Sequence, residues 1–363
     1  MMPFSSSLPA VDTSSDHDFL MLLAQTASIH LRSILKLCFA HDESHAAVVV
    51  YDQGCELALV LTEAYRACLP AAQFVDFAQH QPSEIQAILA NLQAHDLVVL
   101  VQSTNFRMDA YRIRVELFKR DLKVIEHLHL ARMPGPQAQI YVDALAYDEA
   151  YYRGMGRALK HAFDQAPFGI VDSGGEKLYF DSTFEDAKLN VGDYREMNNV
   201  GGQFPIGEVF SEARDLRAVH GRVRIFVFGD TQFSVNQPET PITLVVEHGQ
   251  VIEVEDSTPE FDKVLANIRE DEGVVWVREL GFGMNRALSA ERTVSDIGTF
   301  ERMCGVHLSL GAKHGIYGKP GFKRGDGKYH VDVFAVTEKV FLGEQCVFNE
   351  GAWCAPIVQL DSA

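Results

Sequence analysis

Four short segments in the second half of the chain combine a carboxylate or an imidazole with flanking glycine turns. They are Gly207-Glu208-Val209-Phe210, Arg278-Glu279-Leu280-Gly281-Phe282-Gly283, Gly305-Val306-His307-Leu308-Ser309-Leu310-Gly311 and Tyr329-His330-Val331-Asp332-Val333. His330 and Asp332 stand two apart in a β-pattern, so both side chains leave the same face of one strand, a geometry that suits a shared metal ion. Glu279 ends the apolar run from Val274 to Val277 and is either an edge residue facing water or a group held inward by a partner. His307 opens an alternating strand. Taken singly, each fits a structural role; together, oxygen and imidazole donors at strand ends beside glycine turns point to a metal site.

Glycine usage separates the elements that must position these groups. Only Gly54, Gly135, Gly154 and Gly156 precede Pro167, and the other 23 of the 27 follow it. The first half alternates short apolar runs (Ala46 to Tyr51, Gln73 to Phe77, Asp96 to Val101, Leu122 to Leu128) with helical patterns (Cys55 to Ala67, Pro82 to Ala94, Met108 to Lys119). That alternation predicts an α/β domain with a mainly parallel sheet and helices on both faces. One helix from about Tyr141 to Phe163 closes it, and Ala166-Pro167-Phe168-Gly169 reads as a linker. The second half carries period-two runs, such as Ile242 to Glu247 and Val251 to Glu255 joined by His248-Gly249-Gln250, which predict antiparallel hairpins. It also carries helical patterns at Pro259 to Glu270 and Ser295 to Arg302, so it reads as an α+β, largely antiparallel domain. The expected layout is a flexible leader over 1–18, an α/β domain over 19–166 and the metal-binding catalytic domain over 167–363.

The charge balance, 32 basic against 50 acidic side chains for a net of −18, argues against nucleic acid as a partner, since a phosphate polymer needs dense Lys and Arg. It suits metal ions and cationic ligands. No apolar stretch reaches the length of a membrane span. The start of the chain lacks the basic segment and apolar run of a secretory signal. Six scattered cysteines with no Cys-x-x-Cys pair read as reduced thiols, which places the protein in the cytoplasm. The acidic window from Glu253 to Glu272 reads as a solvated face. His41 and His45 fall in a loop, and His127 and His129 share a strand face without a third ligand nearby in sequence. Gly154-Met155-Gly156 lacks the strand and third glycine of a dinucleotide fingerprint.

The four segments, in their order, resemble the metal-binding signature of the thermophilic metallo-aminopeptidase family, the aminopeptidase T type, over roughly Asp181 to Trp353. By that resemblance Glu208, Glu279, His307, His330 and Asp332 are metal ligands. The family has a tyrosine seven residues after the third-segment histidine; here that position is His314, with Tyr317 three residues later. Either His314 substitutes as a ligand, or Tyr317 reaches the site from a longer loop, or the second metal is weakened. The resemblance implies two divalent ions (Zn, Co or Mn by their donors), about 3.5 to 4 Å apart and sharing an activated water. Glu279 or Asp332 would be the bridging carboxylate, and Glu208 or Glu279 would serve catalysis, Glu208 as general base. The implied activity is removal of N-terminal residues from short peptides or small amides by a homodimer. The loop from Gly315 to Lys328, with Lys319, Lys323, Arg324 and Lys328, is either a carboxylate-binding element or an exposed loop. A related branch resembles the 2,5-dihydroxypyridine dioxygenases, with a single Fe(II) on two histidines and an aspartate. There the first histidine would align with Glu279, and a carboxylate at that place favours the hydrolase. A non-catalytic binding relative is the other alternative.

Overall fold

The computed structural model describes residues 13–108, 113–195, 202–232, 234–319 and 327–356. Two domains are present, one α/β and one built on an antiparallel sheet. In the first, strands β1 (Ala47–Tyr51), β2 (Gln73–Asp76), β3 (Leu97–Val101) and β4 (Lys123–His127) alternate with helices α1 (Thr13–Ser33), α2 (Glu56–Cys68), α3 (Pro82–Ala90) and α4 (Ile113–Phe118). Their pairings are all parallel. Val49, Leu97, Val99 and Val101 pack on one face with α1 and α2, whereas Val48, Val50, Val98, Leu100 and Val124 pack on the other with α3 and α4. Covered on both faces, β1 and β3 read as unbroken apolar runs rather than as alternations, while β4 also buries Lys123, Glu126 and His127.

Helices α5 (Pro136–Ala144) and α6 (Glu149–Gln165) follow. The single helix expected over this stretch is broken, because Asp148 caps α6 by accepting from Tyr151 N at 3.1 Å and so starts a new helix there. α1 begins at Thr13, within the stretch expected to be a leader, while residues 1–12 lie outside the described residues.

The second sheet comprises β5 (Gly169–Ser173), β6 (Glu176–Phe180), β7 (Lys188–Asn190), β9 (Glu208–Glu212), β10 (Val219–Gly229), β11 (Val235–Asn236), β12 (Ile242–Glu247), β13 (Gln250–Glu255), β14 (Val277–Gly283), β15 (Gly305–Leu310), β16 (Val331–Ala335), β17 (Lys339–Leu342), β18 (Gln345–Asn349) and β19 (Ala352–Trp353). The intervening β8 (Gly202–Gln203) pairs instead with β4, as the fifth parallel strand of the first sheet. The chain therefore returns to the first domain just before Glu208, and the two cores are stitched by residues from both halves, such as Phe204, Ile297 and Phe300 against Tyr141 and Val142. Helix α7 (Pro259–Glu272), capped by Thr258, buries Phe261, Val264, Leu265 and Ile268 against the sheet, and the short α8 (Ile297–Phe300) leads into the site.

Candidate metal centre

The register of four adjacent strands, β9, β14, β15 and β16, determines which side chains meet. Glu208 lies opposite Gly283, Phe210 opposite Gly281, and Gly281 opposite His307. Ser309, two residues past His307, lies opposite Asp332. Since residues paired across a sheet share a face and side chains alternate along a strand, Glu208, Glu279, His307 and Asp332 all emerge on one face. Two glycines keep that face open. A Cβ on Gly281 would stand 2.0 Å from His307 Nε2, so the imidazole occupies the space a side chain would fill. Gly207, at φ +119°, turns the chain into β9 immediately before Glu208.

The groups are buried: Glu208 and Glu279 are each 4% exposed and His307 1%. His307 Nε2 lies 3.2 Å from Glu208 Oε1 and 3.4 Å from Glu279 Oε1, yet neither His307 nitrogen nor Glu208 Oε1 makes a hydrogen bond. Buried polar atoms left without partners are rare and destabilising. His307 Nε2 and Glu208 Oε1 face each other with Glu279 Oε1 beside them, close but not hydrogen-bonded, which is what a ligand set looks like when the atom its members share is a cation. The donor chemistry fits, since carboxylate oxygens and an imidazole nitrogen hold Zn, Co or Mn.

Two ligand groups can be drawn among the described residues. Glu208, Glu279, Glu301 and His307 form one, and Glu301, His330 and Asp332 form the other, with the donor atoms in each within 4.8 Å of one another. His330 Nε2 is 3.1 Å from Asp332 Oδ1, which is likewise buried without a hydrogen bond. Glu301, on the turn after α8, belongs to both groups and so joins Glu279 and Asp332, the two that the sequence suggested, as a candidate for the shared carboxylate. Glu301 carried no separate signal beyond an acid next to a base, Glu301-Arg302, closing an otherwise apolar turn. Arg302, itself buried, lies 2.7 Å from Glu208 Oε2 and 2.8 Å from Glu301 Oε2 and holds both carboxylates in place.

Charge tells the same story. Burial pushes the His307 imidazole down, but the Glu208 and Glu279 carboxylates beside it outweigh this and hold it well above its usual value. Burial pushes the Glu279 carboxyl up, but His307 and His314 outweigh that and hold it below the usual carboxylate range. His330 is raised to about 10, its burial outweighed by Asp332. Glu301 is raised to about 8, by burial first and then, against Arg302, by the Glu208 and Asp332 carboxylates. Without a metal ion, protons on the imidazoles supply the positive charge that the carboxylates demand.

His314 and Tyr317 take separate roles. His314 Nε2 is 2.9 Å from Glu279 Oε2, so the imidazole sits beside the ligand carboxylate. The Tyr317 ring packs against His314 at 5.0 Å, but its hydroxyl donates to the backbone carbonyl of Asp186 at 2.8 Å. Their loop is anchored by a buried ion network. Arg278 bridges Glu212 and the carbonyls of Ala312 and Tyr317, while Lys319 Nζ reaches Glu185 at 2.6 Å and the Ala213 carbonyl at 2.7 Å. Lys319 is thus committed to the fold and does not offer itself to a substrate. Lys328 pairs with Asp271 at 2.7 Å, and Lys323 and Arg324 lie outside the described residues.

The other histidines do not join this centre. His127 is buried between Tyr65 and Tyr141, and His129 lies 3.0 Å from Asp296. His41 and His45 line a separate cavity of about 750 Å3 at the end of β1 nearest α2's C-terminus. Among the described residues no helix is long and apolar enough to cross a membrane.

No family profile matches the sequence, and no curated protein does. Among solved structures, wild-type AmpT from Thermus thermophilus superposes with a TM-score of 0.54 over 91% of this chain and 99% of that chain, at 13% sequence identity. The two share a fold; at that identity nothing finer follows.

Proposed function

We propose that this chain is a metal-dependent aminopeptidase, a hydrolase that removes the N-terminal residue from short peptides or small amides. The observation that carries the reading is the convergence of Glu208 Oε1, Glu279 Oε1 and His307 Nε2 on one point, buried and without mutual hydrogen bonds. Likeness in fold to AmpT, an aminopeptidase T, supports it at a coarse level. Glu208, Glu279 and His307 would hold one divalent ion, His330 and Asp332 a second, and Glu301 would be shared between them. Charge supports two: Glu208, Glu279, Glu301 and Asp332 against Arg302 leave an excess of three negative charges, more than one divalent ion neutralises. The chemistry supplied by such ions is polarisation of a carbonyl and activation of water near neutral pH. Arg302 positions Glu208 and Glu301, and His314 positions Glu279, so both act through the ligands. A homodimer is proposed with this reading.

The test is elemental analysis of tag-free protein alongside release of the first residue from short peptides. Close to two Zn, Co or Mn per chain and chelator-sensitive release are expected, with both lost in Glu279→Ala. One iron per chain with oxygen uptake on a dihydroxypyridine would replace this reading with a ring-cleaving dioxygenase, and no bound metal would replace it with a binding protein.

A further inference from the structure

A cavity of about 780 Å3 adjoins the ligand cluster, between α4, α6, β7 and β8, and it reaches the cluster at Arg302. Its lining carries six bases, Arg114, Arg157, Lys160, Lys188, Arg195 and Arg302, against two acids, Asp186 and Asp193. In a chain with 50 acidic and 32 basic residues that local reversal of sign is a built feature. Resting on the aminopeptidase reading, we propose that this cavity is the subsite for substrate carboxylates, so that the substrates are short acidic peptides.

The cavity's volume, the unpaired Arg157 and the segregation of charge support it. The volume is that of a small-molecule or short-peptide pocket, within the usual range of about 300 to 1,000 Å3. Five of the six bases have carboxylate partners: Arg114 has Glu126 at 2.8 Å, Lys160 has Asp164 at 2.8 Å and Asp186 at 2.5 Å, Lys188 shares Asp186 at 2.6 Å, Arg195 has Asp193 at 3.1 Å, and Arg302 has Glu208 and Glu301 at 2.7 and 2.8 Å. Arg157, exposed on α6, has no ion pair among the described residues and is free to bind an anion. Finally, charge is segregated along the path, with four carboxylates clustered beyond Arg302 and cations lining the cavity before it. An acidic peptide has the complementary order, an amine at its first residue and carboxylates further along, so the field both selects and orients it. Lys319, one of the bases of the Gly315 to Lys328 loop, is spent on Glu185 and does not line this cavity.

Three peptides, Leu-Glu-Glu, Leu-Gln-Gln and Leu-Lys-Lys, distinguish the outcomes, measured both by calorimetric binding to the metal-loaded protein and by leucine release. Leu-Glu-Glu is expected to bind about tenfold more tightly than Leu-Gln-Gln, with the advantage shrinking as salt rises, and Leu-Lys-Lys most weakly. Arg157→Glu, and independently Lys188→Glu, should collapse the ratio of the first two affinities toward one. Equal binding of the three peptides, or a ratio unmoved by both charge reversals, overturns the proposal. If Leu-Glu-Glu binds selectively and no peptide releases leucine, the carboxylate subsite stands and the aminopeptidase reading falls.

Discussion

His127 and His307 occupy matching situations in the two domains and behave in opposite ways. Each lies on a strand, β4 or β15, and is almost wholly buried, at 0% and 1% exposure, with a phenylalanine ring nearby (Phe204 for His127, Phe334 for His307). His127 is fully satisfied. Tyr141 donates its hydroxyl proton to the Phe204 carbonyl at 2.8 Å, so it can only accept from His127 Nδ1, and Nε2 is left to accept from the Tyr65 hydroxyl. A neutral ring with one N–H fits that environment, and burial lowers His127 to about 3. His307 has both nitrogens unpaired and two carboxylates at ion-pair distance, and it is raised. Burial alone makes a structural histidine neutral; burial among unpaired carboxylates makes one that asks for a cation.

The comparison breaks most sharply under truncation. His307→Ala should remove metal from the centre and lower peptide hydrolysis on the order of a thousandfold. His127→Ala should leave metal content per folded chain unchanged and destabilise the fold by roughly 3 kcal/mol, through the cavity and two orphaned tyrosine hydroxyls. Metal analysis and denaturation of both variants check the pair; metal loss in His127→Ala would erase the distinction.

Acid gives the next effect. The folded pKa of His127 lies below the 6.5 of an unperturbed histidine, so the unfolded chain takes up a proton that the native state refuses. Its contribution to stability is fully present above pH 6.5 and is lost as pH falls from there toward 3, at about 1.4 kcal/mol per pH unit. Ring-nitrogen NMR of the intact protein at pH 5 should still show a neutral His127 protonated on Nδ1. An imidazolium at that pH would remove this source of acid sensitivity.

Periodicity made the first domain legible because its strands are buried on both faces and its helices on one, and each pattern follows directly from burial. It failed at Asp148, where a cap interrupts a continuous helical pattern, and at β8, whose two residues are too few to show any period. At the site, β-spacing placed His330 and Asp332 on one face, and glycine turns flagged Glu208, Glu279 and His307. Glu301 and Arg302 stayed hidden because the helical pattern read over Ser295 to Arg302 stops at Phe300 in the structure, and the two sit on the turn beyond it. Lys319 misled for a related reason: its partners Glu185 and Glu212 lie more than a hundred residues away, and local composition registers only a basic loop.

The smallest effect tests what keeps His127 structural. Tyr65→Phe removes one hydroxyl and leaves the ring, so packing is almost unchanged while His127 Nε2 loses the proton it accepts at 2.8 Å. An acceptor buried at that depth has no water to replace the hydroxyl, and the expected loss is about 1 to 2 kcal/mol, smaller than for His127→Ala because no cavity larger than one oxygen is opened. The variant should also blunt the acid response, because the orphaned Nε2 is easier to protonate once its donor is gone and the native pKa climbs toward 6.5. Urea midpoints at pH 7.5 and 5 therefore give two numbers: a drop at pH 7.5, and a smaller further drop at pH 5 than the wild type shows. If the pH 7.5 midpoint is unmoved, the Tyr65 bond is not what holds the ring neutral, and burial by Tyr141, Phe204 and the strands around β4 suffices.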